Sequence, residues 1–270
     1  MKLKKRIKKS LSKLFPNSLV KERLKLLYYN LITRNVGFGL KKSDSNSVIY
    51  KTRYDSLNIF TKQPLYNTVA DFDNYQFFHK VKEGDIVLDA GANVGFLSLL
   101  FVNKIGKKGH VYAFEPDKIN IGMMQDNFEL NKFDGHYTIC EELLWNEETY
   151  VDFSESGNVA SSAIWFSDDS KIVKKKAITI DSWMNSAEIK KLDFIKMDIE
   201  GAEIQAMEGC VETLLKYKPN LAIASYHFVN GEATYLWLES FFDKLGYPYV
   251  TKKFDGYEII TFAGPSVAKD

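Results

Sequence analysis

The hydrophobic pattern of the chain changes near residue 84. From there on, short apolar segments of strand composition alternate with longer segments that repeat apolar residues at helical spacing. The strand-like segments cover residues 86–90, 110–115, 137–140, 193–199 and 220–227, and a final pair covers 247–253 and 257–263. This alternation predicts an α/β fold with a mostly parallel sheet and helices on both faces. The two adjacent strands at the end predict an antiparallel hairpin at one edge.

Helical spacing predicts the elements that connect these strands. We expect helices over residues 94–104, 116–131, 202–216 and about 232–245. Between about 149 and 180 the pattern alternates with a period of two, which predicts a β insertion in the main domain.

The first 45 residues have a different pattern. Apolar residues recur there at helical spacing among lysines, at Leu3, Ile7, Leu11 and Leu14. A second helix is predicted over 24–32, and the polar run 41–47 is typical of a linker or an exposed turn. We therefore expect a basic amphipathic segment over 1–45, a lead-in or cap segment over 46–83, and the main domain over 84–265.

Charge is concentrated at the same end of the chain. The formal net charge is +1, but residues 1–25 contain ten basic residues and one acidic residue, which gives +9 and leaves −8 for the remainder. A basic amphipathic helix can lie on an anionic membrane surface, or it can pack its leucines on the protein or on a second subunit. The main body has no long basic patch in its sequence, so we expect no nucleic-acid partner.

Composition limits the cellular setting of the protein. No apolar run is long enough to span a bilayer, and no secretory signal follows the basic start. Cys140 and Cys210 match neither a metal spacing nor a disulfide framework, so we expect buried thiols and a reducing compartment. These features predict a cytoplasmic protein that can contact the inner membrane face through residues 1–25.

The segment VLDAGANVGF, residues 87–96, joins a predicted strand to a predicted helix. Gly91 allows a sharp turn, Gly95 allows close packing, and Asn93 tolerates a left-handed backbone. N–H groups at the helix N-terminus suit a phosphate or a carboxylate, although a turn made only for packing is an alternative. Glu115 ends the next strand, where a carboxylate can accept hydrogen bonds from both hydroxyls of a ribose. Together these residues predict an adenosine-containing cofactor.

Ionisable residues follow two later strands. In KMDIEGAE, Lys196, Asp198 and Glu200 alternate near a strand end, where they can transfer protons or, through Asp198 and Glu200, hold a divalent metal. His227 follows the next strand, and a near-neutral pKa would suit a general base. The alternatives are a helix cap for Asp198 and for Glu200, an ion pair with one of these acids for Lys196, and a structural role for His227. Helix caps or dipole partners are also the interpretation of Asp181 and Glu203.

Three segments, VLDAGANVGFLSLLF, VYAFEPD and FIKMDIEGAE, resemble in this order and spacing the FkbM family of S-adenosylmethionine-dependent methyltransferases over about residues 84–263. The resemblance implies a class I methyltransferase (Rossmann-like) fold with a seven-stranded sheet. It also implies O-methylation of a sugar, a glycan or a related small molecule. The implied cofactor residues are Asp89, Gly91, Asn93 and Gly95 at the methionine end, Glu115 at the ribose, and Glu142 or, less favoured, Glu141 at the adenine amine.

Two other functions stay open on the sequence. An NAD-dependent oxidoreductase would also use a glycine turn and Glu115, but a strict G-x-G-x-x-G is absent and the final strand pair is unusual for such folds. The second open function is a non-catalytic cofactor-binding module that is tethered at a membrane surface. For the methyltransferase, the expected catalytic residues are Asp198, His227 and Lys196.

Overall fold

The structure is a computed structural model that describes residues 19–33, 36–44, 47–55, 57–66, 69–131, 136–157, 161–166, 171–254 and 258–269. The helix predicted around residues 3–14 lies outside the described residues. The chain divides into two compact units, Met1–Val69 and Ala70–Asp270. Within the described part of the chain, no helix is both long and apolar enough to cross a bilayer.

The first unit contains one described helix and a three-stranded antiparallel sheet. The helix is α1 (Leu19–Ile32), and the strands are β1 (Val36–Asp44), β2 (Ser47–Tyr54) and β3 (Leu57–Thr61). The side chain of Asn30 joins α1 to β1 through two hydrogen bonds with the backbone of Phe38, at 2.7 and 2.8 Å. Of the two predictions for 41–47, a linker or an exposed turn, the linker is wrong, because residues 42–44 pair with residues 47–49 between β1 and β2.

The second unit is built on a seven-stranded sheet. Its strands, in spatial order, are β14 (Tyr249–Lys253), β15 (Ile259–Ala263), β11 (Asn220–Ala224), β10 (Phe194–Met197), β4 (Ile86–Ala90), β5 (His110–Phe114) and β6 (Tyr137–Cys140). The five strands from β11 to β6 are parallel, whereas β15 runs antiparallel to both of its neighbours. The predicted parallel sheet and its C-terminal hairpin are confirmed. Two short strands, β12 (Phe228–Val229) and β13 (Glu232–Ala233), form a separate antiparallel pair.

Helices cover both faces of this sheet. They are α2 (Val69–Tyr75), α3 (Phe96–Ile105), α4 (Lys118–Asn131), α5 (Ile180–Ser186), α6 (Glu203–Glu208), α7 (Val211–Tyr217) and α8 (Thr234–Leu245). On β10, the Phe194 ring lies 5.8 Å from that of Phe101 in α3, whereas Ile195 belongs to a core cluster with residues of α5 to α8. Because neighbouring strand residues point to opposite faces, α3 and the α5–α8 group lie on opposite sides.

The single helix predicted over 202–216 is instead two helices, α6 and α7. Gly209 separates them, and a Cβ on this glycine would lie 2.2 Å from the carbonyl oxygen of Trp145. The Asp181 carboxylate accepts hydrogen bonds from the backbone N–H groups of Glu212 and Thr213, at 3.0 and 2.7 Å. Asp181 is therefore a helix cap, as expected, but it caps α7 from a distant part of the chain.

The β pattern at 149–180 forms a small separate sheet. Its strands β7 (Leu143–Leu144), β8 (Thr149–Glu155) and β9 (Lys171–Ile178) lie in the order β7-β9-β8. Asp117 attaches the loop after β8 to the start of α4, because it accepts hydrogen bonds from Ser156 N, Gly157 N and Ser161 Oγ at 3.0, 2.8 and 2.6 Å. These contacts hold the insertion near the carboxyl edge of the main sheet.

Gly95→Ala is expected to lower the free energy of unfolding by about 2–4 kcal/mol, as measured by urea denaturation. The backbone of Gly95 has φ 79°, and an added Cβ would lie 2.4 Å from Cγ of Met124. Gly122→Ala is the matched control, because a Cβ there meets no described atom within 4 Å, and it should stabilise by about 0.5–1 kcal/mol. Equal stability of Gly95→Ala and the wild type would contradict this account of the turn.

Candidate active site

The carboxyl ends of β4 and β10 define the candidate site. Here the order of the sheet reverses, because β5 and β6 extend it on one side of β4 while β10 and β11 extend it on the other. Ligands of open α/β sheets bind outside the carboxyl ends of the strands at this kind of position. Two segments follow these strands directly, the turn at residues 91–95 and the segment 198–203.

The turn packs directly on the backbone that follows β10. Gly91, Asn93 and Gly95 have φ values of 74°, 52° and 79°, so all three are left-handed, which the sequence indicated for Asn93. A Cβ on Gly91 would lie 1.8 Å from the carbonyl oxygen of Asp198. Protein packing thus requires both glycines, and the same packing places the turn beside Asp198.

The N-terminus of α3 follows the turn without a side-chain cap among the described residues. The N–H groups of Gly91 and Ala92 donate to the Phe114 carbonyl at 3.0 and 2.9 Å. The earliest backbone hydrogen bond of the helix runs from Leu99 N to the Gly95 carbonyl at 2.9 Å. An uncapped helix start of this length attracts a carboxylate or another anion through its first-turn N–H groups.

Asp89 and Lys196 form a buried pair beneath the turn. They are register partners on β4 and β10, and their side chains are 0% and 4% exposed. Lys196 Nζ lies 3.0 Å from Asp89 Oδ1 as an ion pair, and Ser98 Oγ donates to Asp89 Oδ2 at 2.5 Å. The ammonium also donates to the carbonyls of Ala90 and Gly91 at 3.2 and 2.9 Å. Lys196 therefore ties β10 to the first residues of the turn.

Glu115 lies on the other side of the turn and is 5% exposed. Its carboxylate accepts hydrogen bonds from Asn93 N, Asp117 N and the Asn120 side chain at 2.8, 2.9 and 3.3 Å. Burial nevertheless raises the pKa of Glu115 to about 7. A buried carboxylate with acceptor capacity left fits a ribose, because two further hydroxyl donors would stabilise its charged form.

Glu142 lies beyond the end of the edge strand β6. Its side chain is 35% exposed, and its carboxylate lies 3.9 Å from Lys176 Nζ of β9. Glu141, its neighbour, is exposed. Both acids therefore lie past the third parallel strand, β6, which is separated from β10 by the two strands β4 and β5.

Asp198, Glu200 and His227 come together past the ends of β10 and β11. The imidazole of His227 is 4% exposed, and its Nε2 lies 3.8 Å from Asp198 Oδ1 and 3.6 Å from Glu200 Oε2. Its Nδ1 lies 3.1 Å from Oε1 of Glu203, which is fully buried at the start of α6. Residues that the sequence placed at two different strand ends thus share one cluster.

The pKa values of this cluster correct one expectation. Burial lowers the pKa of His227, but the contact with Glu203 and the charges of Asp198 and Glu200 outweigh it and raise the pKa to about 9. The near-neutral pKa expected for this histidine is therefore wrong. Burial raises the pKa of Glu200 to about 7, with a further contribution from the charge of Asp198. A cationic imidazole cannot accept a proton, so the groups able to do so here are the carboxylates.

Sequence reasoning missed several residues around the cluster. Tyr75 OH donates to Asp198 Oδ2 at 3.1 Å, and Ser162 Oγ donates to the Glu200 carbonyl at 3.0 Å. The Trp165 ring lies 5.5 Å from the His227 ring and is 38% exposed. The sequence signal that could have identified Trp165 is its position beside Phe166, as an aromatic pair in a polar stretch of the β insertion.

Glu203 has a larger structural role than the dipole partner expected from sequence. Its Oε1 accepts hydrogen bonds from the N–H groups of Ile199 and Gly201, at 3.1 and 3.3 Å. The same oxygen contacts His227 Nδ1, so one carboxylate fixes both the loop after β10 and the orientation of the imidazole.

The fold and the site define a class of protein. A seven-stranded, mostly parallel sheet with a C-terminal antiparallel hairpin and a glycine turn after its first parallel strand is the class I methyltransferase arrangement. The family described as Methyltransferase FkbM domain matches residues 89–249, which is more than half of the chain. The chain belongs to the FkbM methyltransferase family.

Two relatives show how far this similarity extends. Hexuronic acid methyltransferase AglP of Haloferax volcanii is 24% identical over 148 residues, which cover 55% of this chain and 58% of that protein. The crystal structure of Methyltransferase FkbM from Methylobacillus flagellatus KT is 21% identical and covers 71% of this chain and 47% of that chain, with a TM-score of 0.53. The match thus spans less than two thirds of either relative, and the structural likeness shows the fold.

Proposed function

We propose that this protein transfers a methyl group from S-adenosylmethionine to a hydroxyl oxygen of a sugar or glycan. The observation that carries the proposal is the packing of Gly91 on the backbone of Asp198, since it sets the donor-binding turn beside the acidic cluster. Family membership supports methyl transfer over the nicotinamide-dependent alternative. The distant similarity to a hexuronic acid methyltransferase supports a sugar acceptor.

The donor would lie along the carboxyl ends of β4, β5 and β6. We assign the methionine end to the turn at Gly91, Asn93 and Gly95 and to the uncapped start of α3, which suits its carboxylate. Glu115 would accept hydrogen bonds from the ribose, and Glu142 would face the adenine amine. Asp89 and Lys196 lie inside the protein, so we assign them to positioning this turn and not to contact with the amine or to proton transfer.

The chemistry requires alignment and a proton acceptor. Bound S-adenosylmethionine supplies an electrophilic methyl group, so that the acceptor oxygen forms a C–O bond while the S–C bond breaks and its electron pair stays on sulfur. Asp198 or Glu200 would take the hydroxyl proton, because both are carboxylates with 28% side-chain exposure at the end of β10. His227, whose Nε2 lies near both carboxylates, would hold them in place.

Trp165 supports an acceptor with a carbohydrate ring. Its indole lies beside His227 and is 38% exposed, so that part of it is open to a ligand. The C–H groups on one face of a sugar ring can pack on such an aromatic surface, and its hydroxyls can reach the carboxylates nearby.

Trp165→Ala is therefore expected to raise KM for the acceptor by about tenfold, the equivalent of about 1.4 kcal/mol of lost packing. Affinity for S-adenosylhomocysteine should stay unchanged. Tyr150→Ala removes an aromatic ring that is 67% exposed on β8 and serves as the control. Steady-state kinetics with varied acceptor measures the effect, and an unchanged KM would remove Trp165 from the acceptor site.

Donor binding is expected to release a proton near pH 6.5. Burial holds the pKa of Glu115 at about 7, above its ordinary value, so part of the population is protonated at this pH. Hydrogen bonds from ribose hydroxyls favour the charged carboxylate and lower its pKa. Calorimetry of S-adenosylhomocysteine binding in buffers of different ionisation enthalpy measures the release. Glu115→Gln should abolish this component, and an unchanged release in this variant would place the ribose elsewhere.

The proposal is tested by a screen with donor labelled in its methyl group. Free hexuronic acids, their glycosides and glycans, and matched neutral sugars are offered as acceptors, with NAD titrated in parallel. Labelled methyl ether on a sugar supports the proposal. Binding of the nicotinamide cofactor in place of S-adenosylmethionine would support the oxidoreductase instead. Donor binding without transfer to any acceptor class would favour a non-catalytic module.

A further inference from the structure

A buried polar pair without hydrogen-bond partners lies at the centre of the acidic cluster. Among the described residues, neither His227 Nε2 nor Asp198 Oδ1 has a hydrogen-bond partner, and both atoms are buried. The His227 residue is 5% exposed. Leaving a buried polar atom unsatisfied costs about 1–3 kcal/mol, so two such atoms aimed at each other indicate a missing ligand.

The distances indicate what that ligand is. The separations of 3.8 and 3.6 Å between His227 Nε2 and the oxygens of Asp198 and Glu200 are too long for hydrogen bonds. Two donors that each lie about 2.0–2.2 Å from one metal ion, at an angle of about 110–120°, are about 3.3–3.8 Å apart. The three ligand atoms lie within 4.8 Å of one another in the described structure. One ion can therefore contact all three.

The surroundings of the cluster orient these ligands. The other ring nitrogen of His227 contacts Glu203, whose carboxylate is fixed by two backbone N–H groups. Tyr75 OH donates to the second oxygen of Asp198 at 3.1 Å. A carboxylate behind a ligating histidine and a hydrogen bond to a ligating carboxylate are the contacts that orient metal ligands in proteins.

Charge and ligand type narrow the kind of ion. The cluster holds three carboxylates, Asp198, Glu200 and Glu203, around one imidazole, so a cation would offset an excess of negative charge. Carboxylates alone suit Mg²⁺, Ca²⁺ and Mn²⁺, whereas a histidine nitrogen favours a transition metal. Cys140 and Cys210 are free buried thiols outside the three-residue group.

We propose that Asp198, Glu200 and His227 bind a divalent transition-metal ion, of the Mn²⁺ or Zn²⁺ type, with Glu203 as the group that positions His227. Three protein ligands leave coordination positions for an oxygen of the acceptor, beside the turn that holds the methyl donor. The contact between the ion and an acceptor oxygen rests on the proposed methyl transfer, but metal binding itself does not. The ion would replace the proton on His227 Nε2 and would set where the acceptor hydroxyl lies. A carboxylate oxygen of Asp198 or Glu200 that does not contact the ion would then take the hydroxyl proton.

Metal binding is measured on the full chain after treatment with EDTA, without donor or acceptor. Electron paramagnetic resonance follows free Mn²⁺, and calorimetry follows Zn²⁺, with Mg²⁺ as the comparison ion. We expect one Mn²⁺ or Zn²⁺ per chain and weaker binding of Mg²⁺. His227→Gln and Glu200→Gln should each weaken binding at least tenfold, and Glu203→Gln by about 10–100-fold. His110→Gln is the control, because His110 lies on β5 and contacts Thr138 of β6. This variant should leave metal binding unchanged.

Two results would overturn the metal site. One is no stoichiometric binding by the wild type, and the other is binding that Glu200→Gln and His227→Gln leave unchanged while both variants keep the wild-type circular dichroism spectrum. Methyl transfer that persists undiminished in EDTA, together with no binding, would reject the ion and keep the proposed function. If the protein binds one ion but does not bind S-adenosylhomocysteine, the metal site is kept and the proposed function is rejected.

Discussion

Asp198→Asn is expected to lower kcat for methyl transfer by about 10²–10⁴-fold, the range that a positioned proton acceptor contributes. The substitution keeps the shape of the side chain and its contact with Tyr75 but removes the charge. Asp198 lies at the end of β10 beside His227, in the cluster that we assign to the acceptor. Affinity for S-adenosylhomocysteine, which calorimetry measures, should therefore remain at the wild-type value.

A matched substitution separates this effect from a general loss of charge. Asp152→Asn makes the same chemical change on β8, where the side chain is 53% exposed and pairs with Lys174. This control should keep full activity, because exposed ion pairs contribute little. Wild-type kcat in Asp198→Asn would show that neither proton transfer nor acceptor positioning depends on this carboxylate.

Lys196→Met is expected to lower the free energy of unfolding by about 3–5 kcal/mol. The substitution removes the cation that contacts Asp89 and leaves a fully buried carboxylate whose remaining partner, among the residues the structure describes, is Ser98. It also removes the hydrogen bonds to the Ala90 and Gly91 carbonyls at the start of the turn. Donor affinity should fall together with stability, because the same ammonium holds the turn.

Two further variants test whether the unpaired charge of Asp89 causes the loss of stability in Lys196→Met. Adding Asp89→Asn to Lys196→Met removes the stranded charge, so the double variant should be more stable than the single one. Lys174→Met breaks a pair whose side chains are 65% and 53% exposed and should change stability by about 0–1 kcal/mol. Urea denaturation measures all of them. Equal stability of Lys196→Met and Lys174→Met would show that the buried pair is not a structural tie.

The sequence predicted the part of the site that depends on strand ends. Glycines, acids and a histidine that each follow an apolar strand must meet at one edge when the strands are parallel. This is why Gly91, Glu115, Asp198 and His227 could be named before the fold was seen. The sequence could not predict the register of β4 and β10, which pairs Asp89 with Lys196. Alternation predicts which face a residue lies on, but it does not predict the neighbour on the adjacent strand.

The features of the site and fold that the sequence did not predict depend on contacts between distant segments. Tyr75 reaches Asp198 across 123 positions of sequence, and Ser162 and Trp165 come from the β insertion. The pKa of His227 depends on three carboxylates that meet only in the folded chain, so an isolated histidine could not reveal it. Likewise, the Trp145 carbonyl, which leaves no space for a side chain at Gly209, comes from a distant segment that local helix propensity does not include.

Calorimetric titration of the full chain with S-adenosylhomocysteine tests the central claim most directly. The account predicts one site per chain, with affinity reduced at least tenfold in Glu115→Ala and unchanged in Asp152→Asn. A carboxylate that accepts hydrogen bonds from a ribose would account for such a loss. Absence of binding by the folded wild-type protein, or equal affinity in Glu115→Ala, would contradict the assignment of the turn and Glu115 to the methyl donor.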